Sequence, residues 1–81
     1  MTETHLNLRG LKCPLPALKT RKALGGLEPG SVIVVECTDP MAAIDIPNLL
    51  SETRDVLESR TEQDGALIFR IRKAERRPGK I

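Results

Sequence analysis

Polar and apolar side chains alternate from His5 to Leu8, the period of a strand with one covered face, and Gly10 ends the run. From Cys13 the pattern turns helical. Cys-Pro-Leu-Pro leads into Ala17 to Leu24 without a breaker, and Gly25 and Gly26 follow. Proline in the first turn and glycine after the last is the asymmetry a helix prefers. Glu28-Pro29-Gly30-Ser31 predicts a turn, and the unbroken Val32, Ile33, Val34 and Val35 predict a buried central strand. Thr38-Asp39-Pro40 predicts the start of a second helix, with Asp39 as N-cap and Pro40 at the first helical position. Its apolar residues are Met41, Ile44, Leu49 and Leu50, with Ile46 near. Pro47 is expected to kink this helix or divide it in two. Arg54 to Thr61 predicts a third strand, Gln63-Asp64-Gly65 a hairpin turn, and Ala66 to Arg72 a last strand. In that strand Leu67, Phe69 and Ile71 share one face.

The order is β-α-β-α-β-β. Helical connections favour parallel crossovers, and the final hairpin adds an antiparallel pair. The simplest outcome is an α+β fold, a two-layer α/β sandwich with two helices on one face of a four-stranded mixed sheet.

Composition narrows the function classes. At 81 residues the chain fits one small domain, expected over 1–74, followed by a basic, disordered tail over 75–81. Phe69 is the sole aromatic residue, so aliphatic side chains must build a thin core with a stability of about 5 kcal/mol. No apolar run approaches the roughly 20 residues of a membrane span, and Met1 to Arg9 has no signal-peptide core, which points to the cytoplasm. Two cysteines in that setting read as free thiols. With one histidine, a zinc site is not expected. The net charge of +2 is uneven: Lys73, Arg76, Arg77 and Lys80 face Glu75 alone, so the body before them is close to neutral. A near-neutral body without stacking aromatics argues against direct nucleic-acid binding.

Cys13 is the residue suited to chemistry. The pattern puts it at the N-cap of the first helix with Pro14 at N1, where the helix dipole favours a thiolate, the nucleophilic form. Lys12, Lys19, Arg21 and Lys22 add positive potential. The prolines remove backbone donors and leave the Leu15 and Ala17 amides as the nearest candidates, while stiffening the turn. Pro16 stands where a Cys-x-x-Cys redox motif has its second cysteine, so no resolving thiol is adjacent. At helical spacing Ala17, Thr20, Leu24 and Leu27 form the core face. Leu15 and Leu18 fall on another side with Lys19 and Lys22, a docking surface for a partner protein. The plainer alternatives are a buried structural cysteine and incidental surface leucines. Cys37 reads as structural, or else as a second thiol near Cys13, and His5 as an ordinary surface residue.

Leu8-Arg9-Gly10-Leu11-Lys12-Cys13-Pro14-Leu15-Pro16 resembles the signature of the TusA/SirA-like sulfur carriers. Leu27-Glu28-Pro29-Gly30, Thr38-Asp39-Pro40, Asp45-Ile46-Pro47, Asp64-Gly65 and Ile71-Arg72-Lys73 match in order, covering about residues 5 to 74. The chain departs at Glu52-Thr53-Arg54-Asp55, where many members have Gly-His, and in its tail. The resemblance implies the same sandwich. It also implies that Cys13 accepts sulfane sulfur as a persulfide from a cysteine desulfurase or rhodanese-like donor and passes it to an acceptor protein. Gly10, Pro14 and Pro16 would shape the site, and Lys12, Leu15, Leu18, Lys19 and Lys22 would meet partners. No cofactor is required, and a monomer suffices. The pathway could be 2-thiouridine synthesis in tRNA, sulfur oxidation or molybdenum-cofactor supply. The alternative is a regulatory or redox-sensing interaction module, which Cys13→Ser would separate from a carrier.

Overall fold

The structure, a computed structural model, describes residues 3–74. The basic tail expected over 75–81 lies outside the described residues. Six elements follow in chain order: β1 (Glu3–Leu8), α1 (Leu15–Gly25), β2 (Val32–Cys37), α2 (Ala42–Thr53), β3 (Val56–Gln63) and β4 (Ala66–Arg72). The strands form one sheet in the order β1-β2-β4-β3. β1 runs parallel to β2, and β4 pairs antiparallel with both β2 and β3. This is the mixed α+β sandwich that the pattern predicts.

The register explains why one face of the sheet is covered. Leu6 pairs with Val35 and Leu8 with Cys37, while Ile33 pairs with Ile71 and Val35 with Phe69. Alternation sends these side chains to the same face. There they join Leu24 of α1 and Ala42, Ile46, Leu49 and Leu50 of α2 in a single buried cluster. The opposite face is laced by ion pairs. Arg70 bonds Glu3 and Glu58, Arg72 bonds Glu58, and Arg9 bonds Glu36. A register shift between Leu57 and Ser59 gives β3 the extra residue Glu58, which lets one carboxylate serve both arginines. The hairpin between β3 and β4 turns on Asp64 and Gly65, both at positive φ.

The structure narrows one expectation for α2 and corrects another. Pro47 lies inside the helix but does not divide it: Ala42–Thr53 is continuous. A proline costs one backbone bond, and burial of Ile46, Leu49 and Leu50 around it holds the helix together. The helix also starts later than Asp39-Pro40 suggests. Met41 is the N-cap residue, whose thioether makes no side-chain cap bond, and Asp39 Oδ1 accepts the Met41 amide in the turn before it. Met41 and Ile44 are not core residues; both are largely exposed.

The parallel β1-α1-β2 unit decides where chemistry sits. Both helices begin beyond the carboxyl ends of adjacent parallel-running strands, so their first turns meet at one edge of the sandwich.

Candidate functional site

The loop between β1 and α1 is shaped by Gly10. Its φ of +84° is a conformation that side chains resist, and it allows the Leu11 amide to donate back to the Leu8 carbonyl at 3.2 Å. The Gly10 amide donates to Thr38 Oγ1 at 2.9 Å, which ties the loop to the end of β2. A second turn follows, in which the Leu15 amide donates to the Lys12 carbonyl at 2.8 Å around Cys13 and Pro14. The Cys13–Pro14 peptide is cis.

Cys13 therefore does not cap α1. Pro14 occupies the N-cap position and the helix begins at Leu15, so the cysteine sits one residue further out. The Leu15 amide, expected to face the sulfur, is already taken by Lys12. Pro16 is buried against the core with Thr20 and Leu24, and Thr20 Oγ1 donates to the Pro16 carbonyl at 2.7 Å. Ala17 and Leu27 are only partly buried, so Pro16 takes a place on the core face that the spacing gave to Ala17.

Two carboxylates of the β2–α2 region reach this loop. Asp39 Oδ2 accepts the Cys13 amide at 2.6 Å, and its Oδ1 accepts the Met41 amide at 3.0 Å. These two backbone donors hold the Asp39 carboxyl below the usual carboxylate range, with help from the Lys12 charge. Asp45, in the first turn of α2, accepts a hydrogen bond from the Cys13 thiol, Sγ to Oδ2 2.7 Å. That bond raises the Cys13 pKa above the ordinary thiol value, and desolvation and the charges of Asp45 and Asp39 add to it. The expected thiolate-favouring environment is thus reversed. Lys12 acts on Asp39, and carboxylates rather than lysines dominate at the sulfur.

Cys13 is exposed at one end of a groove between α1 and α2, lined by Pro14, Ala17, Leu18, Arg21, Asp45 and Glu52 among others. Arg21 and Glu52 close its far side with an ion pair, Nη2 to Oε1 2.6 Å. The docking set proposed from helical spacing divides here. Leu15 and Leu18 are exposed as expected, at 43% and 54%, and Leu18 lines the Cys13 groove. Lys19 and Lys22 line a different hollow with Leu6 and Leu27. Lys12 lines a third, with Gly10, Thr38 and Asp39. Met41 and Ile44 add exposed apolar surface on the α2 side.

Sequence spacing did not single out Asp45. It lies 32 positions from Cys13, and only the meeting of the two helix starts brings it to the sulfur. The available signal was two acidic residues, Asp39 and Asp45, at the start of the helix following the strand parallel to β1. Cys37 is fully buried at the end of β2, which supports its structural role and removes it as an accessible second thiol. His5 is exposed beside Glu3 at 3.8 Å. Among the described residues no cluster of three or more His, Cys, Asp or Glu side chains could hold a metal ion, and no helix is long and apolar enough to cross a membrane.

Comparison with known proteins agrees with this architecture. The family model described as sulfurtransferase TusA matches residues 4–73. A candidate sulfur carrier protein of Neisseria meningitidis serogroup A is 42% identical over 65 residues, covering 80% of this chain and 88% of the relative. The sulfur carrier protein TusA of Allochromatium vinosum is 33% identical over 72 residues, covering 89% of this chain and 95% of the relative. A SirA-like protein from Desulfitobacterium hafniense, known from its crystal structure, has the same fold, with a TM-score of 0.78 at 23% identity over 89% of this chain and 99% of that one. With a matching family model over nearly all of its folded part, the chain belongs to the sulfurtransferase TusA family of sulfur carriers.

Proposed function

We propose that the protein carries sulfane sulfur as a persulfide on Cys13 and relays it between two partner proteins. The observation that supports this most is an exposed thiol, free of any disulfide, lining a groove between α1 and α2 in a chain of the sulfur-carrier family. The Cys13 thiolate attacks the outer sulfur of a donor persulfide. The donor S–S bond breaks, its cysteine leaves as a thiolate, and the outer sulfur ends on Cys13 as Cys13–S–SH. An acceptor thiolate then attacks that outer sulfur, and Cys13 leaves as thiolate and takes up a proton. No net oxidation occurs, and the side chain itself carries the group.

The donor is a cysteine desulfurase or a rhodanese-like protein, and the acceptor a protein of tRNA 2-thiouridine synthesis or of another sulfur-trafficking route. Leu15 and Leu18 offer them an apolar contact beside the sulfur, with Gly10, Pro14 and Pro16 fixing the loop that presents it. Lys12, Lys19 and Lys22 flank this contact at a distance as steering charges. The relay belongs to the cytoplasm, where thiols stay reduced.

The test is intact-protein mass spectrometry after incubation with a cysteine desulfurase and cysteine, wild type beside Cys13→Ser. The expected result is the added mass of one sulfur atom, removed by reductant and absent in the variant. No added sulfur from this donor, nor from a rhodanese with thiosulfate, would overturn the carrier reading in favour of a regulatory module.

A further inference from the structure

A carrier must keep its cargo between partners, and the carboxylate against Cys13 bears on that. Three observations converge on Asp45. Its Oδ2 is the acceptor of the Cys13 S–H, at 2.7 Å. The backbone on either side of the contact is fixed: the Cys13 amide is tied to Asp39, and Asp45 stands within the first turn of α2, its amide bonded to the Met41 carbonyl at 2.9 Å. The cation that lines the same groove, Arg21, is already paired with Glu52. The charged groups facing the sulfur are thus Asp45 from α2 and Asp39 from the β2–α2 loop, with Arg21 and Glu52 further along the groove neutralising each other.

We propose that Asp45 is a positioning residue of the carrier site: its carboxylate holds the unloaded Cys13 thiol by the S–H bond, and its charge beside the sulfur restrains sulfur exchange while no partner is docked. The chemistry follows from two properties of thiols. Only the thiolate attacks, so a hydrogen bond that retains the proton slows loading by stray donors. A thiol also leaves more slowly the higher its pKa, so the same carboxylate slows loss of the outer sulfur to small thiols. The raised pKa of Cys13 agrees with this geometry. Asp45→Asn keeps the shape and an acceptor oxygen but removes the charge.

This inference rests on the carrier role of Cys13, but its test does not. The pH dependence of Cys13 alkylation by iodoacetamide is followed by mass spectrometry on the full chain, for wild type, Asp45→Asn and Asp39→Asn. Buried Cys37 stays unmodified in folded protein and reports the integrity of each variant. The expected result is an Asp45→Asn profile displaced to lower pH, with several-fold faster alkylation at pH 7, and a smaller displacement for Asp39→Asn. In the persulfidated protein, Asp45→Asn should also lose its sulfur to glutathione several-fold faster. A profile superimposed on wild type, with Cys37 still protected, would overturn the role of Asp45. Failure of Cys13 to load sulfur at all would instead overturn the carrier reading and leave the alkylation result standing.

Discussion

Cys13 and Cys37 show how far environment decides what one residue type does. Cys13 is exposed and its proton is held by a carboxylate; Cys37 is fully buried at the end of β2. Burial pushes the Cys37 thiol up to about 11 from 9.0, with the Asp39 and Glu36 charges adding to it. A group whose folded pKa is raised stabilises the fold fully below its unfolded pKa and loses that contribution as pH rises through the folded value. Stability should therefore decline between about pH 9 and pH 11 as the unfolded chain ionises Cys37. Urea midpoints at pH 8 and pH 10.5, measured in a Cys13→Ser background, check this. Cys37→Ala should be less stable by about 1 kcal/mol at pH 8, the usual cost of deleting a small buried group. Its midpoint should then fall less toward pH 10.5 than that of the Cys37 parent. Equal falls in both would show that other groups set the alkaline limit.

The two helices make the site from opposite sides, α1 with apolar surface and α2 with acid. Leu18 lines the groove holding Cys13 and is 54% exposed, so it loses nothing in the core if replaced. Leu18→Asp should slow sulfur loading from a protein donor far more than alkylation of Cys13 by iodoacetamide, since only the donor needs the surface. Loading kinetics followed by mass spectrometry give both numbers, and an equal slowing of the two would place the effect on the sulfur itself. Lys19→Ala with Lys22→Ala should matter less, because those side chains line a separate hollow. The elements themselves were legible in the sequence. Gly10, Gly25, Pro29-Gly30 and Asp64-Gly65 punctuate them, and β-branched residues mark β2. The first turns of the helices were not. Proline and aspartate there signal a start without fixing which residue caps, and Asp39 spends both carboxylate oxygens on amides 26 and 2 positions away. The polarity of the site was illegible for the same reason. Counting lysines along α1 predicts a thiolate, whereas tertiary packing sets Asp45 against the sulfur from a different element.

At the scale of the whole molecule the charges and the core divide the work. The uncovered sheet face pairs Arg9, Arg70 and Arg72 with Glu3, Glu36 and Glu58. Stability then falls to a single apolar layer in which Phe69 is the one aromatic side chain, fully buried on β4 opposite Val35. Removing a buried phenylalanine costs about 3–5 kcal/mol. A domain of this size has roughly 5 kcal/mol in total. Phe69→Ala should therefore populate the unfolded chain visibly at 37 °C, whereas Phe69→Leu, which keeps most of the volume, should cost about 1–1.5 kcal/mol and stay folded. The two thiols provide the measurement. Exposed Cys13 is accessible in the native protein, so its alkylation would not report unfolding, whereas buried Cys37 should react only when the core opens. Alkylation of Cys37 at 37 °C should be rapid in Phe69→Ala, slow in Phe69→Leu and slowest in the parent. Protection of Cys37 in Phe69→Ala equal to that of the parent would mean that the aliphatic residues carry the core without it, and that the layer is less thin than its composition implies.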